Sequence, residues 1–328
     1  MQKPHHRTSG NSAKKEEKGM LDFLEKEKTF TGFGEDVSSA ENSEEALDRA
    51  GLNWTIVQQD VFTKDTSGNM QIVPDMRCNL RLEDGKPLGI VSRRYRVCQN
   101  RDAFAFTDAL IGSGVQYDRA GSFYGGRKIW LSAKLPTRSF MGDEVTPYLV
   151  FLNTHDGSGA VRVSITPHRI KCSNALNYAI RTSVRFWAVI HTADLSVRMD
   201  EAQNVLDMNE DYLINLENMC RDLADKQIDD ADLPALAAQI YPLPDGRDLT
   251  QRIRDNIDRK REQLLAVYRE KEDLIDMPKT AWRFVNAVSD YATHGKPLNG
   301  TTRSASHVFE QVVDGHPLID RAVRLFEQ

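Results

Sequence analysis

A chain of 328 residues is long enough for one large domain or two ordinary ones. Hydrophobic residues at 40% and charged residues at 28% give a soluble globular balance, and no apolar run approaches the length of a membrane-spanning helix. The formal net charge of −5 conceals a contrast: residues 77–190 hold 17 Lys/Arg against 8 Asp/Glu, a net of +9, whereas residues 1–76 carry −5 and residues 191–328 carry −9.

Residues 1–45 are polar and poor in periodic apolar positions, which predicts a disordered tail, with at most a short helix near Met20–Lys28. The opening residues lack the apolar core of a signal peptide, so the expected location is the cytoplasm of a host cell. Cys78, Cys98, Cys172 and Cys220 lie far apart and form no CxxC pair, which predicts buried thiols rather than a zinc site; no cofactor is expected. Ordered structure is expected from Glu44–Gly51, a short helix leading into a strand over Trp54–Thr63 and a turn at Ser67-Gly68-Asn69.

Met76, Cys78, Leu80 and Leu82 alternate with Arg77, Asn79 and Arg81, the pattern of a half-buried strand. After the Asp84-Gly85 turn, Leu88–Cys98 reads as a second strand with Arg94 and Arg96 on one face. Asn100 is placed to cap a helix carrying Phe104, Phe106, Leu110 and Ile111. A hairpin follows: Val115–Tyr124 runs up, Gly125-Gly126 turns, and Arg127–Leu135 returns. On the return strand Ile129, Leu131, Ala133 and Leu135 point one way, and Lys128, Trp130, Ser132 and Lys134 the other. A second hairpin pairs Tyr148–Thr154 with Ala160–Thr166, putting Val161, Val163 and Ile165 inward and Arg162 outward. Ser173 or Asn174 opens a helix to about Thr182, and Val184–Thr192 reads as a strand.

After residue 196 the period changes. Val205, Met208, Tyr212, Leu216, Met219 and Leu223 recur at helical spacing, as do Ile253, Ile257, Leu264, Tyr268 and Ile275. Lys279–Ala292 gives a third helix, Gly295–Ser306 a loop, and Ala305–Val313 and Pro317–Phe326 short terminal helices. The predicted class is α+β: a mostly antiparallel sheet with packed helices over residues 46–195, then a helical section over 196–328 that packs on it.

Four constellations bear on function. The first is a basic sheet face of Arg77, Arg81, Arg94, Arg96, Lys128, Trp130, Lys134 and Arg162, in which cations would neutralise phosphates and the indole would stack a base. The alternative is a solvated outer face with ordinary cross-strand charges. The second is the hairpin tip, where Tyr124, Arg127 and Lys128 are presented by glycines. The third is Pro167–Asn174, in which Arg169 and Lys171 precede a helix start that attracts anions, unless capping explains it. The fourth is His155-Asp156, with His168 and His191 elsewhere, readable as a general base or metal pair but more simply as hairpin-turn chemistry.

The segments Trp54-Thr55, Gly89–Asn100, Ala120-Gly121-Ser122, Gly126–Trp130, Asn153–Gly159 and Cys172–Asn177 together resemble the phage/plasmid-like family known as domain of unknown function 932. The resemblance covers about residues 46–290. It implies a protein carried by phages, prophages, plasmids or integrative elements; it supplies neither a reaction nor catalytic residues. The expectation is a DNA-binding protein, not an enzyme, that holds single-stranded DNA during replication, recombination or strand annealing and associates with further copies of itself, away from membranes. Two rivals are a metal-dependent nucleic-acid hydrolase built on His155 and Asp156, and a phage protein that inhibits a host defence protein through its acidic face.

Overall fold

The computed structural model describes residues 34–112, 114–140, 143–169, 186–189, 202–244, 249–294, 309, 313 and 315–327. In chain order these form β1 (Glu35–Asp36), α1 (Ser43–Arg49), β2 (Ile56–Lys64), β3 (Met70–Arg81), β4 (Pro87–Ser92) and α2 (Asn100–Phe104) with a 3-10 turn (Ala105–Leu110). There follow β5 (Gln116–Phe123), β6 (Lys128–Lys134), β7 (Arg138–Phe140), β8 (Asp143–Thr154), β9 (Val161–Arg169) and β10 (Phe186–Val189). The helical section holds α3 (Ala202–Asp225), α4 (Leu233–Ile240), α5 (Gln251–Glu270), α6 (Glu272–Ile275), α7 (Ala281–His294) and α8 (Pro317–Arg324). The class is α+β, with two antiparallel sheets: a larger one ordered β1-β5-β6-β8-β9-β10, with β7 on β8, and a smaller one ordered β2-β3-β4.

The larger sheet follows from its turns and its alternation. Between β5 and β6, Tyr124, Gly125 and Gly126 all have positive φ, and two of the three are residues that adopt it without strain. Between β8 and β9 the Asp156 carboxylate accepts the Ser158 amide at 2.9 Å, closing a local turn. Ile129, Leu131 and Ala133 of β6 face the same side as Leu149 and Phe151 of β8 and Val163 and Ile165 of β9, all buried in the main core. That core continues without a break into the helices through Leu213, Leu216, Leu264, Tyr268, Phe284 and Val285. Its helix ends are closed by arginines. Arg283 donates to the carbonyls of Tyr268, Ile275 and Met277, and Arg321 donates to Ile240.

Several expectations are corrected. Order begins before residue 46: β1 pairs with β5, and Val37 and Leu47 are fully buried. The expected strand over Leu88–Cys98 ends at Ser92, so Arg94 and Arg96 lie in a loop. Gln99, not Asn100, takes the N-cap position of α2; Asn100 is buried and its amide donates to the Leu52 carbonyl at 2.8 Å. The helix α4, with a proline in its first turn, was not expected. The helix expected from Ser173 or Asn174 lies outside the described residues.

The small sheet is inverted relative to its sequence pattern. Asn79, expected to point to solvent, is 0% exposed, whereas Leu82, expected inside, is 59% exposed. The reason is docking. Asn79 donates to the His155 carbonyl at 2.7 Å, and the Tyr95 hydroxyl donates to the Thr154 carbonyl at 2.6 Å. Gly89 lies so close to Asp156 that a Cβ there would clash with the Asp156 backbone. A bulge in β4 also turns Leu88 inward, next to Gly126. The small sheet thus turns Asn79, with Ile56 and Val91, toward the β8–β9 side and leaves Leu80, Cys78 and Ile90 on its outward face.

Candidate nucleic-acid interface

The residues expected to form one basic face belong to two different sheets. Arg77 and Arg81 sit on the inner face of β3, where Arg77 is ion-paired with Asp60, and Arg81 with Asp84 at 2.5 Å. Arg81 also lies over the Trp54 ring, 5.4 Å from its centroid. Its guanidinium holds the Asp84 carboxyl down at about 2, below the usual aspartate range. Both arginines are therefore partly neutralised within the chain.

Trp130 is the main correction. The alternation on β6 is as expected, with Lys128, Trp130, Ser132 and Lys134 sharing a face. That face is not solvated. Trp130 is 1% exposed and packs with Tyr148, Val150, Leu152, Phe309 and Val313 in a second apolar layer. Its ring lies 4.7 Å from Phe309 and is stacked on Phe123 at 6.3 Å. On the other side it meets backbone: a Cβ at Gly34 or Gly121 would fall within 3 Å of its Cζ2 atom. An indole in that slot cannot stack a nucleobase. Ser132, Ser164 and Thr166 on the same face are also buried. Lys134 is exposed at the far end of β6, about 20 Å along the strand from Lys128. Arg162 is half-buried beside Leu152. Arg169 closes β9, but its side chain, and the whole of Lys171, lie outside the described residues.

A smaller set does converge, where β6 begins and β8 ends. Tyr124 is 49% exposed and holds φ +53, a left-handed conformation that costs a non-glycine residue about 1–2 kcal/mol. The Lys128 ammonium lies 5.4 Å from its ring centroid. Arg127 is exposed beside it, and its carbonyl accepts the His155 amide at 2.8 Å. Lys86, from the β3–β4 turn, brings its ammonium against Gly125. Arg94 and Arg96 are exposed on either side of Tyr95, past the end of β4 and about 20 Å along that strand from the Lys86 turn; of this segment the Tyr95 hydroxyl, which donates to the Thr154 carbonyl, is what approaches the tip. Lys86 was missed from sequence because only the tertiary meeting of two turns brings it to the tip. Its local signal, Asp84-Gly85-Lys86-Pro87, reads simply as a turn.

His155 is scaffold in this arrangement. It is 0% exposed and makes an edge contact with Trp54. Its Nε2 lies 2.8 Å from Asn100 Oδ1, which also accepts from Asn153 at 3.2 Å. Because the Asn100 amide nitrogen donates to Leu52, its oxygen must face His155, and the network puts the imidazole proton on Nε2. Asp156 is occupied in its turn. The side chain of His168, and the whole of His191 and Cys172, lie outside the described residues. Among the described residues no group of three or more His, Cys, Asp and Glu is placed to hold a metal ion. Burial pushes the Cys98 thiol up to about 12; Cys98 and Cys220 are buried, while Cys78 is half-exposed.

What defines the chain at this level is an α+β fold in which Tyr124, Arg127, Lys128 and Lys86 meet at one end of an antiparallel sheet. The chain belongs to the family described as domain of unknown function (DUF932), whose model matches residues 87–314. The match begins at β4, so Trp54, Thr55 and strands β2 and β3 lie outside it. No curated protein and no solved structure matches the chain.

Proposed function

We propose that the protein binds single-stranded nucleic acid, DNA in preference to RNA, at the end of the large sheet formed by Tyr124, Arg127, Lys128 and Lys86. The observation that carries this reading is the tip itself: a half-exposed tyrosine, held in a left-handed conformation, with one lysine over its ring and a second, Lys86, brought beside it by the β3–β4 turn. Cations track phosphates, and an aromatic face stacks bases regardless of sequence. Duplex DNA offers no free base faces to Tyr124, so a single strand suits the tip better. The acidic flanks repel a polyanion from the remaining surface. The setting is a mobile element, a phage or plasmid, acting in replication, recombination or annealing in the host cytoplasm. Among the described residues no helix is long and apolar enough to cross a membrane.

The test is fluorescence anisotropy with a labelled oligonucleotide at several salt concentrations. Tyr124→Ala should weaken single-strand binding by about 5- to 150-fold, the range that corresponds to one stacked base. Arg127→Ala with Lys128→Ala should lower the salt slope by about 1.4, at about 0.7 for each phosphate no longer neutralised. Wild-type protein that binds no oligonucleotide, or variants with unaltered affinity and slope, would refute the reading.

A further inference from the structure

We propose that the outward face of the β2–β3–β4 sheet is the docking surface for a second copy of this chain. An antiparallel sheet with one solvated face normally turns its polar residues to water. This sheet buries Ile56, Val91 and Asn79 on its inner face and still leaves apolar residues on the outer one. Cross-strand register places Val57, Leu80 and Pro87 in one row, Gln59, Cys78 and Ile90 in the next, and Met76 and Ser92 in a third, all on the face opposite buried Asn79, so that the apolar centre has a polar edge. Leu82 continues that face past the end of β3. Ile90 is 57% exposed and Leu82 slightly more so, while Val57, Cys78 and Leu80 are half-exposed. The strand pattern that normally specifies a buried face is therefore left without cover among the described residues, and contiguous apolar patches of this kind mark interaction sites.

Charge at the two ends of the patch identifies the occupant. At the β3–β4 turn stands Glu83, next to Asp84, which Arg81 already pairs; just past the other end of β4 stand Arg93 and Arg94, and all of these acidic and basic end residues are exposed. Six residues of β4 keep these ends about 20 Å apart. A two-fold axis between the faces, perpendicular to the strands, lays the sheets antiparallel. It then sets the acidic turn of each copy over the arginines of the other, twice. An isologous interface needs this kind of self-complementary patch, apolar in the middle and opposite in charge at its ends. A face this small predicts a dimer with a Kd of about micromolar rather than a permanent one.

This inference is independent of the nucleic-acid reading, and Leu82, Ile90 and Arg93 have no part in the tip described above. The experiment is sedimentation equilibrium of the full chain up to about 100 µM, well above a micromolar Kd. The wild type should be dimeric at the upper end. Leu82→Asp with Ile90→Asp should be monomeric, with an unchanged melting curve because both side chains already face water, and with single-strand affinity at the tip retained. Arg93→Glu should weaken the dimer about tenfold, and adding Glu83→Arg should recover most of that loss. A monomeric wild type, a dimer indifferent to the Leu82 and Ile90 changes, or no recovery in the paired charge reversal would overturn the proposal.

Discussion

Replacing Trp130 with alanine separates a surface indole from a core one. In the fold the ring is enclosed by Phe309, Phe123 and the backbones of Gly34 and Gly121, with 1% of its area reaching solvent. Truncating a fully buried tryptophan costs about 3–5 kcal/mol, because the transfer energy of the ring and the cavity it leaves both count. Two backbones form part of the slot and cannot collapse into it, which favours the upper half of that range. With a urea dependence of about 2–3 kcal/mol per molar, the unfolding midpoint followed by circular dichroism should drop by about 1–2 M. Trp130→Phe should recover part of the loss. Single-strand affinity, measured well below the new midpoint, should change little, since the ring touches no ligand. The reasoning is refuted if Trp130→Ala unfolds at the wild-type midpoint and yet loses oligonucleotide binding. That pair of results would put the indole back on a solvated face.

Two further substitutions probe the scaffold. Asn100→Ala removes the amide that bonds Leu52, His155 and Asn153, all in buried surroundings, and should destabilise the fold by at least about 2 kcal/mol in urea titrations, because a stranded polar group costs about 1–3 kcal/mol; an unchanged midpoint would show that water replaces the amide. Burial raises the Asp118 carboxyl above its ordinary 3.8, against the opposing pull of Arg119, Ser132 and Lys134. A carboxyl that binds its proton more tightly folded than unfolded contributes stability that falls as pH rises through the aspartate range, beginning at about 4. The stability of Asp118→Asn relative to wild type should therefore increase with pH from that point, as read from melting temperatures in a pH series; a difference independent of pH would count against the burial.

How much of this was legible depended on where the partner of each element came from. The β5–β6 and β8–β9 hairpins are local: Gly125-Gly126 and Asp156-Gly157 set the turns, and the alternation of Ile129, Leu131 and Ala133 identifies the core face correctly. The helices over Ala202–Asp225 and Gln251–Glu270 follow from spacing alone. The errors fall where a distant segment decides which face is covered. Nothing near Trp130 announces Phe309 and Val313, which close the second face from far downstream. Nothing near Asn79 announces the His155 carbonyl, 76 residues away, that draws its polar side inward. Period-2 alternation reports that a strand has two unlike faces; it does not report which of them another part of the chain will reach first.

That distinction also bears on the proposed binding site. A sheet covered on both faces can offer a polyanion only its ends and edges, and Arg127 and Lys86 do lie beyond the strand ends, on turns. Tyr124 then becomes the informative residue, because glycine would serve the turn better. Its neighbours Gly125 and Gly126 show what the backbone asks for there, and tyrosine bears a strain that a third glycine would relieve. Tyr124→Gly should leave the midpoint of unfolding unchanged or raise it by up to about 1 kcal/mol, since the strain released outweighs a ring that is half in water. The same variant should lose single-strand binding as fully as Tyr124→Ala does. Under the proposed function, that strain is the cost of presenting the ring to a base. If Tyr124→Gly were instead clearly destabilised and bound oligonucleotides normally, the ring would be a structural brace over Lys128, and the tip would have no claim to the ligand.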